Sequence, residues 1–391
     1  MKIVIYIIVV LFLSACNKDK NQREVIVVDF EKAINSDKEV FLSELTDTLI
    51  YLELKTPKDI VISRIGDVIR ANDYWIVRSL AGICLFTNDG VFVRQIGRKG
   101  QGPGEYLQIR GMDFDSTNNE ILLVDSQKIL FYDLNGNFLR HIKITNDYFY
   151  NIGITDSVLW TASLGLPHEQ YQMYAFNKYN DTLSFVPNPY YKMEVKNQDG
   201  VYFSHSRFEK EFYRYNGNLY LKNRPNNDTV FCLSGTIRSP HIIFDMGKYK
   251  LPLHYEAWFS NIDYEKYASS YWGIPSVIED DSNIFLLALR RNTISKNPYE
   301  SNDDDWRYLI YDKGTGCCFS SKDKLKDDIL GCQSVWPRFH TGDYYIDTIE
   351  WYDLQQNVKA DKYPSLSISL EKQFDSFTNG TNELLIVFKR K

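Results

Sequence analysis

Short apolar runs separated by turn residues recur along most of the chain. The clearest stretch, Ile62 to Gly97, holds four such runs, and its last hairpin is Phe86-Thr87-Asn88-Asp89-Gly90-Val91-Phe92. Ile109 to Ile144 repeats the plan, with Tyr132-Asp133-Leu134-Asn135-Gly136-Asn137-Phe138 at the same place. Asp-Gly and Asn-Gly between apolar runs are strong hairpin signals, because the tight turn needs positive φ. The interval from Gly90 to Gly136 matches one four-stranded propeller blade of about 40–50 residues. Weaker copies follow at Asn151 to Val186, Glu211 to Gly247, Ile274 to Ser320 and about Ile329 to Asp353. Together these units predict an all-β fold, a six-bladed β-propeller of four-stranded antiparallel blades, since blades stacked round an axis leave only short edges exposed. Ring closure calls for a strand from one terminus in the other's blade, and Thr48 to Leu54 and Leu384 to Arg390 are the candidates. Two β domains divided near Pro187-Asn188-Pro189 are the alternative organisation. Helical signals are confined to Leu253 to Trp272 and the stretch around Lys322 to Asp327.

The first residues bear on where the fold operates. Lys2, an apolar run from Ile3 to Leu13 and then Leu13-Ser14-Ala15-Cys16 read as a signal peptide. The run is too short for a bilayer, which takes about 20 helical residues. Leu-Ser-Ala-Cys resembles the bacterial lipobox, which implies cleavage before Cys16 and lipid on the new N-terminus. Acyl chains would hold the protein to a membrane surface at about 0.8 kcal/mol per buried CH₂. The expected layout is a signal peptide over 1–15, lipidated Cys16 and a tether over 16–40, and a single propeller domain over 41–391. The tether is polar from Asn17 to Glu24.

Composition narrows the partners. Apolar residues at 44% and charged ones at 25% support a sizeable core, and aromatics at 15% lean toward strands. A net charge of -6 and the absence of any basic run argue against nucleic acid. Beyond Cys16, the cysteines at 84, 232, 317, 318 and 332 are odd in number and scattered, which is no disulfide framework. Cys317-Cys318 is the one pair placed for a strained vicinal disulfide, with Cys332 as the other possible partner. The six histidines show neither H-x-H nor H-E-x-x-H spacing, and "SNDDDW" lacks the acids and glycine of an EF-hand loop, so no metal and no cofactor is expected. Neither a G-x-S-x-G elbow nor a sialidase box is present.

The glycine-rich stretch "VRQIGRKGQGPGEYLQIRG" from Val93 to Gly111 tests for phosphate binding. A P-loop needs Lys and Ser/Thr after its last glycine, and Pro103 and Gly104 stand there. A dinucleotide fingerprint fails as well, because a strand and not a helix follows. Set between "TNDGVFVRQ" and "DFDSTNNEILLVDS", "IGRKGQGPGEY" resembles the signature of the six-bladed β-propeller lipoproteins of Bacteroidetes, relatives of the NHL-repeat propellers. "TDTLIYLELKT", "DMGKYKLP", "KDDILGC" and "NELLIVFKRK" look like further landmarks of that family. The resemblance implies a propeller and a cell-envelope address, lipid-anchored at the outer membrane, and little about chemistry, since fold alone does not supply function.

In a four-stranded blade the second-to-third turn and the connection to the next blade open on one face. Arg78, Arg98, Lys99, Gln101, Glu105, Tyr106 and Asp125 are therefore the candidate ligand-face residues. The plainer reading makes the loop a crowded inter-blade turn, with Glu105 pairing with Arg98, Lys99 or Arg110. Trp160, Trp258, Trp272, Trp306 and Trp336, with Arg338, either stack on ligands or pack between blades. The expected function is a non-catalytic binding or scaffold module for an envelope protein, peptide or glycan, held to the membrane by its lipid. The alternative is a polysaccharide hydrolase or lyase using carboxylates at the channel mouth, which nothing in the sequence singles out. An envelope assembly subunit is the third class.

Overall fold

The computed structural model describes residues 25–125, 128–143, 149–163, 168–189, 191–192, 212–222, 228–252, 270–290, 305–377 and 382–391. It begins with strand β1 (Ile26–Asp29), helix α1 (Phe30–Ile34) and strand β2 (Leu49–Leu52). Blade one follows as β3 (Asp67–Ala71), β4 (Tyr74–Ser79), β5 (Gly82–Thr87) and β6 (Phe92–Ile96). A small ribbon, β7 (Arg98–Lys99) and β8 (Glu105–Tyr106), leads to blade two, made of β9 (Gly111–Asp115), β10 (Glu120–Asp125), β11 (Lys128–Asp133) and β12 (Phe138–Lys143). Blade three is β13 (Phe149–Thr155), β14 (Val158–Ser163), β15 (Tyr171–Phe176) and β16 (Thr182–Pro187). Blade four is β17 (Phe212–Tyr215), β18 (Asn218–Lys222), β19 (Thr229–Ser234) and β20 (Ile237–Asp245). Blade five is β21 (Trp272–Glu279), β22 (Asn283–Arg290), β23 (Trp306–Asp312) and β24 (Cys317–Ser321). Blade six takes β25 (Phe339–Thr341) and β26 (Tyr344–Glu350), then helices α2 (Trp351–Lys359) and α3 (Ile368–Asp375), then β27 (Glu383–Lys389). The innermost strands β3, β9, β13, β17, β21 and β25 touch in succession round a closed ring, so the fold is a six-bladed β-propeller.

The core lies between blades. Ile121 and Leu123 of β10 pack with Ile76 and Leu85 of blade one, while Leu122 and Val124 pack with Ile152 and Leu159 of blade three. Successive side chains of a strand point to opposite faces, and here both faces are buried. That is why the central strands read as unbroken apolar runs such as Ile121-Leu122-Leu123-Val124, without polar alternation. Comparable apolar clusters fill the other four blade junctions.

Closure joins the two ends of the chain. β2 pairs antiparallel with β27, Tyr51 opposite Ile386, and becomes the outermost strand of blade six. The residues before and after β2 form a belt along the rim. β1 adds to blade four as a fifth strand, parallel to β20. Asp29 caps α1 through the Lys32 N–H at 2.9 Å. The belt next bonds to the outer edge of blade five, where Lys38 N–H donates to Ser320 O at 2.8 Å. Beyond β2, Lys55 N–H donates to Gly90 O of blade one at 2.8 Å.

Three expectations are corrected. The region read as tether, 16–40, is folded from Ile26 onward, because Val28 and Phe30 are buried against blades four and five. Lys322 to Asp327 is extended and not helical, with Leu325 bridged to Val335 and Lys326 to Phe41. The last unit, read over Ile329 to Asp353, contains only β25 and β26, and the other two strands of blade six come from β27 and β2. Cys16, and most of the other expected helix, lie outside the described residues.

Candidate binding face

The two faces of the ring are built differently. First-to-second and third-to-fourth strand connections are tight turns, eased by positive φ at Asn72, Gly90, Asn119, Gly136, Asn180, Asn216 and Gly342. Asn and Gly tolerate that conformation best. The long connections, 97–110, 188–211, 246–271, 291–305, 322–338 and 351–382, all leave from strand ends on the opposite face. Arg78, at the end of β4, and Asp125, at the end of β10, sit on this second face with the glycine loop.

The loop is tied down from within. β7 and β8 pair in parallel, Arg98 opposite Glu105 and Lys99 opposite Tyr106. The Glu105 carboxylate accepts the Gly102 N–H at 2.8 Å and the Arg98 Nε at 2.5 Å. The Gly102 N–H first, then Arg98, hold its carboxyl below the usual range. A methyl group at Gly100 would overlap that carboxylate. The loop's own carboxylate therefore stands where a phosphate would have to sit. From blade two, Lys128 Nζ donates to the Gly102 and Glu105 carbonyls and Tyr132 Oη to Gly104 O at 2.8 Å. Asp125 accepts the N–H groups of Leu107 and Gln108, each at 3.2 Å.

The expected site residues thus divide by role. Tyr106 is buried in the junction of blades one and two, and burial pushes its phenol up. Asp125 and Glu105 brace the loop. The Arg98 side chain is 82% exposed although it holds Glu105, and Lys99 and Gln101 are exposed. Arg78 stands apart from these, paired with Asp67 across β3 and β4. Beside it stand Arg338, which the sequence offered only in company with the tryptophans, and Glu383, which sequence reasoning missed. Arg338 Nη2 donates to Ile65 O at 3.2 Å, and Glu383 accepts the Ile65 N–H at 2.8 Å. Asp67 was legible, since it and Arg78 are equidistant from the Asn72-Asp73 turn, but Glu383 comes from the far end of the chain.

Acids elsewhere hold blades together. Glu279 is fully buried and takes hydrogen bonds from Tyr213 Oη at 2.8 Å and His241 Nε2 at 2.9 Å, with Lys313 Nζ at 2.7 Å. Burial opposes its charge, but the bonds and charges of His241 and Lys313 outweigh it and hold the carboxyl low. Asp280 accepts the Ser282 and Asn283 N–H groups at 2.6 Å, Arg390 at 2.7 Å and the Tyr345 hydroxyl. Asp113 of blade two meets Arg214 of blade four at 2.6 Å, and the same guanidinium donates to Ile154 O of blade three at 2.8 Å. Among the described residues no group of three His, Cys, Asp or Glu is placed to hold a metal. Trp160, Trp272 and Trp336 are buried between blades, so they pack and do not present rings to a ligand. Trp306 is half-buried, and Trp258 lies outside the described residues. The cysteines at 84, 232, 317, 318 and 332 are free thiols. No helix among the described residues is long and apolar enough to cross a membrane.

Comparison with known proteins adds a family. A crystal structure of a Bacteroides fragilis protein inferred to be exported shares the fold, with a TM-score of 0.69 at 18% identity over 94% of this chain and 100% of the other. A Bacteroides vulgatus protein of the DUF4221 family aligns with a TM-score of 0.51 at 12% identity, over 89% of this chain and 98% of the other. None of the curated proteins matches the chain. Residues 25–389 match the family described as Domain of unknown function (DUF4934), which takes in the belt, all six blades and the closing strand; the chain belongs to that family.

Proposed function

We propose that the protein is a lipid-anchored module of the bacterial cell envelope that binds a protein, peptide or glycan on its long-connection face without chemistry of its own. The observation that carries this reading is the asymmetry of the ring, in which the strand ends joined by long connections open on one face and tight turns close the other. A rigid scaffold presenting many loops suits recognition. A glycoside-cleaving enzyme needs two carboxylates about 5–10 Å apart with room for substrate. The described acids near the mouth, Asp67, Asp125 and Glu383, each already bond to backbone N–H groups or arginine. The exported Bacteroides protein of the same fold is in keeping with an envelope address.

The test is a pull-down of the protein from detergent-solubilised envelopes, scored for both protein and glycan. A specific captured partner supports the module; shortened glycan would replace it with the enzyme. Anchoring is checked by Cys16→Ser, which is expected to move the protein from the membrane fraction to the soluble one. Retention of the variant in the membrane sinks the lipid anchor.

A further inference from the structure

We infer that the channel mouth where blades six, one and two meet binds carboxylate groups, with Arg64, Arg78, Arg110 and Arg338 as an arc of guanidinium groups. This rests on the reading of the long-connection face as the binding face and gives that face a ligand chemistry. The four arginines come from separate stretches: Arg64 precedes β3, Arg78 ends β4, Arg110 precedes β9 and Arg338 precedes β25.

One short segment brings them together. Arg338 donates to Ile65 O at 3.2 Å, while the next residue, Gly66, lies under the Arg78 guanidinium, where a methyl group would overlap it. Arg78 Nη1 in turn reaches Ile109 O at 3.5 Å, beside Arg110. With Lys128, whose register partner is Asp125, these five cations stand against four described acids of the mouth, Asp67, Asp125, Glu383 and Glu350, the last being the register partner of Glu383, so positive charge is in slight excess. Glu383 is the looser partner, 3.8 Å from Arg338, with its other oxygen on the Ile65 N–H. Guanidinium presents a planar fork that matches a carboxylate edge, and several together exceed what a single exposed pair supplies.

Backbone strain is the second observation. Arg64 is exposed and has φ +51°. Most other non-glycine residues with positive φ are Asn or Asp in tight turns, where the conformation is tolerated; an arginine there is uncommon. Strain of this kind persists where surrounding structure imposes it and collects at ligand sites. On the same face, Arg98 already holds a carboxylate, that of Glu105.

The experiment is calorimetric titration of the full-length protein in detergent with tetragalacturonate, tetraglutamate, neutral maltotetraose and inorganic phosphate. At least one carboxylate probe is expected to bind, more weakly as salt rises. Galacturonate preference would name a glycan as the source, and glutamate preference a protein. Arg64→Gly is expected to weaken that binding at least about tenfold while raising the melting temperature, because glycine relieves the strain as the guanidinium is lost. Arg64→Lys should fall between. No binding of either carboxylate probe, maltotetraose binding equally well, phosphate binding more tightly, or unchanged affinity in Arg64→Gly would each overturn the inference. A pull-down that captures nothing while the titration succeeds leaves this inference standing and removes the partner reading alone.

Discussion

At the scale of single residues, two positions separate strain from crowding. Gly97 has φ +64°, and a methyl group there would come within 2.7 Å of the Tyr132 hydroxyl. Gly217 has φ +72° with nothing within 4 Å. Gly217→Ala should cost about 1 kcal/mol from backbone conformation alone, and Gly97→Ala about 2–4 kcal/mol, since crowding adds to it. Urea denaturation of the two variants checks the order; equal losses would mean that the glycine loop can shift away from blade two. Glu279 gives a pH-dependent case. Its folded pKa lies below an unfolded value of about 4.3, so its contribution is fully present above that pH and is lost as pH falls through the folded value. Glu279→Gln leaves the Lys313 ammonium without its charge partner and should cost about 3–5 kcal/mol at pH 7. That gap should narrow only below about pH 4. A gap that stays constant from pH 7 to pH 3 would mean that the carboxylate is not ionised in the fold.

At the scale of elements, local pattern decided what could be read. The hairpins of blades one and two were legible because Asp-Gly and Asn-Gly sit between apolar runs, and β2 and β27 because both ends of the chain carry short strands without local partners. Helices α2 and α3 were missed although Trp351, Leu354 and Val358 recur at helical spacing and Ser367 caps α3 through the Leu370 N–H. They stand between the second and third strands of blade six, almost wholly beyond the unit read over Ile329 to Asp353. β1 was masked by its polar neighbours, and its partner β20 lies too far along the chain for any short-range signal. The long-connection face was legible only as a set of loops, because the contacts between Arg338, Ile65 and Glu383 join blade six to blade one. β1 offers an element-scale test. Val28 is its one buried side chain, so Val28→Asp should free β1 and α1 for proteolysis near Asp29 while the blades stay folded. Cleavage no faster than in the unsubstituted protein would show that hydrogen bonds to β20 hold the strand by themselves.

At the scale of the whole molecule, each blade buries both faces against its neighbours, and the ring is completed only when β2 meets β27. Closure therefore couples the two ends of the chain and gives the fold its longest-range contacts, the kind that form slowly. The belt puts that closure in series with whatever holds the N-terminus. Tension applied ahead of Ile26 falls first on the parallel bonds of β1 to blade four, then on the bonds to blade five, and only afterwards on β2. Under load the rim would yield stepwise, each released segment adding slack, and the β2–β27 closure would be the last part of the belt before blade one to feel the pull. A pull ahead of Ile26 would thus spend itself on peripheral strands before the propeller opens, which makes the belt a mechanical fuse for the ring.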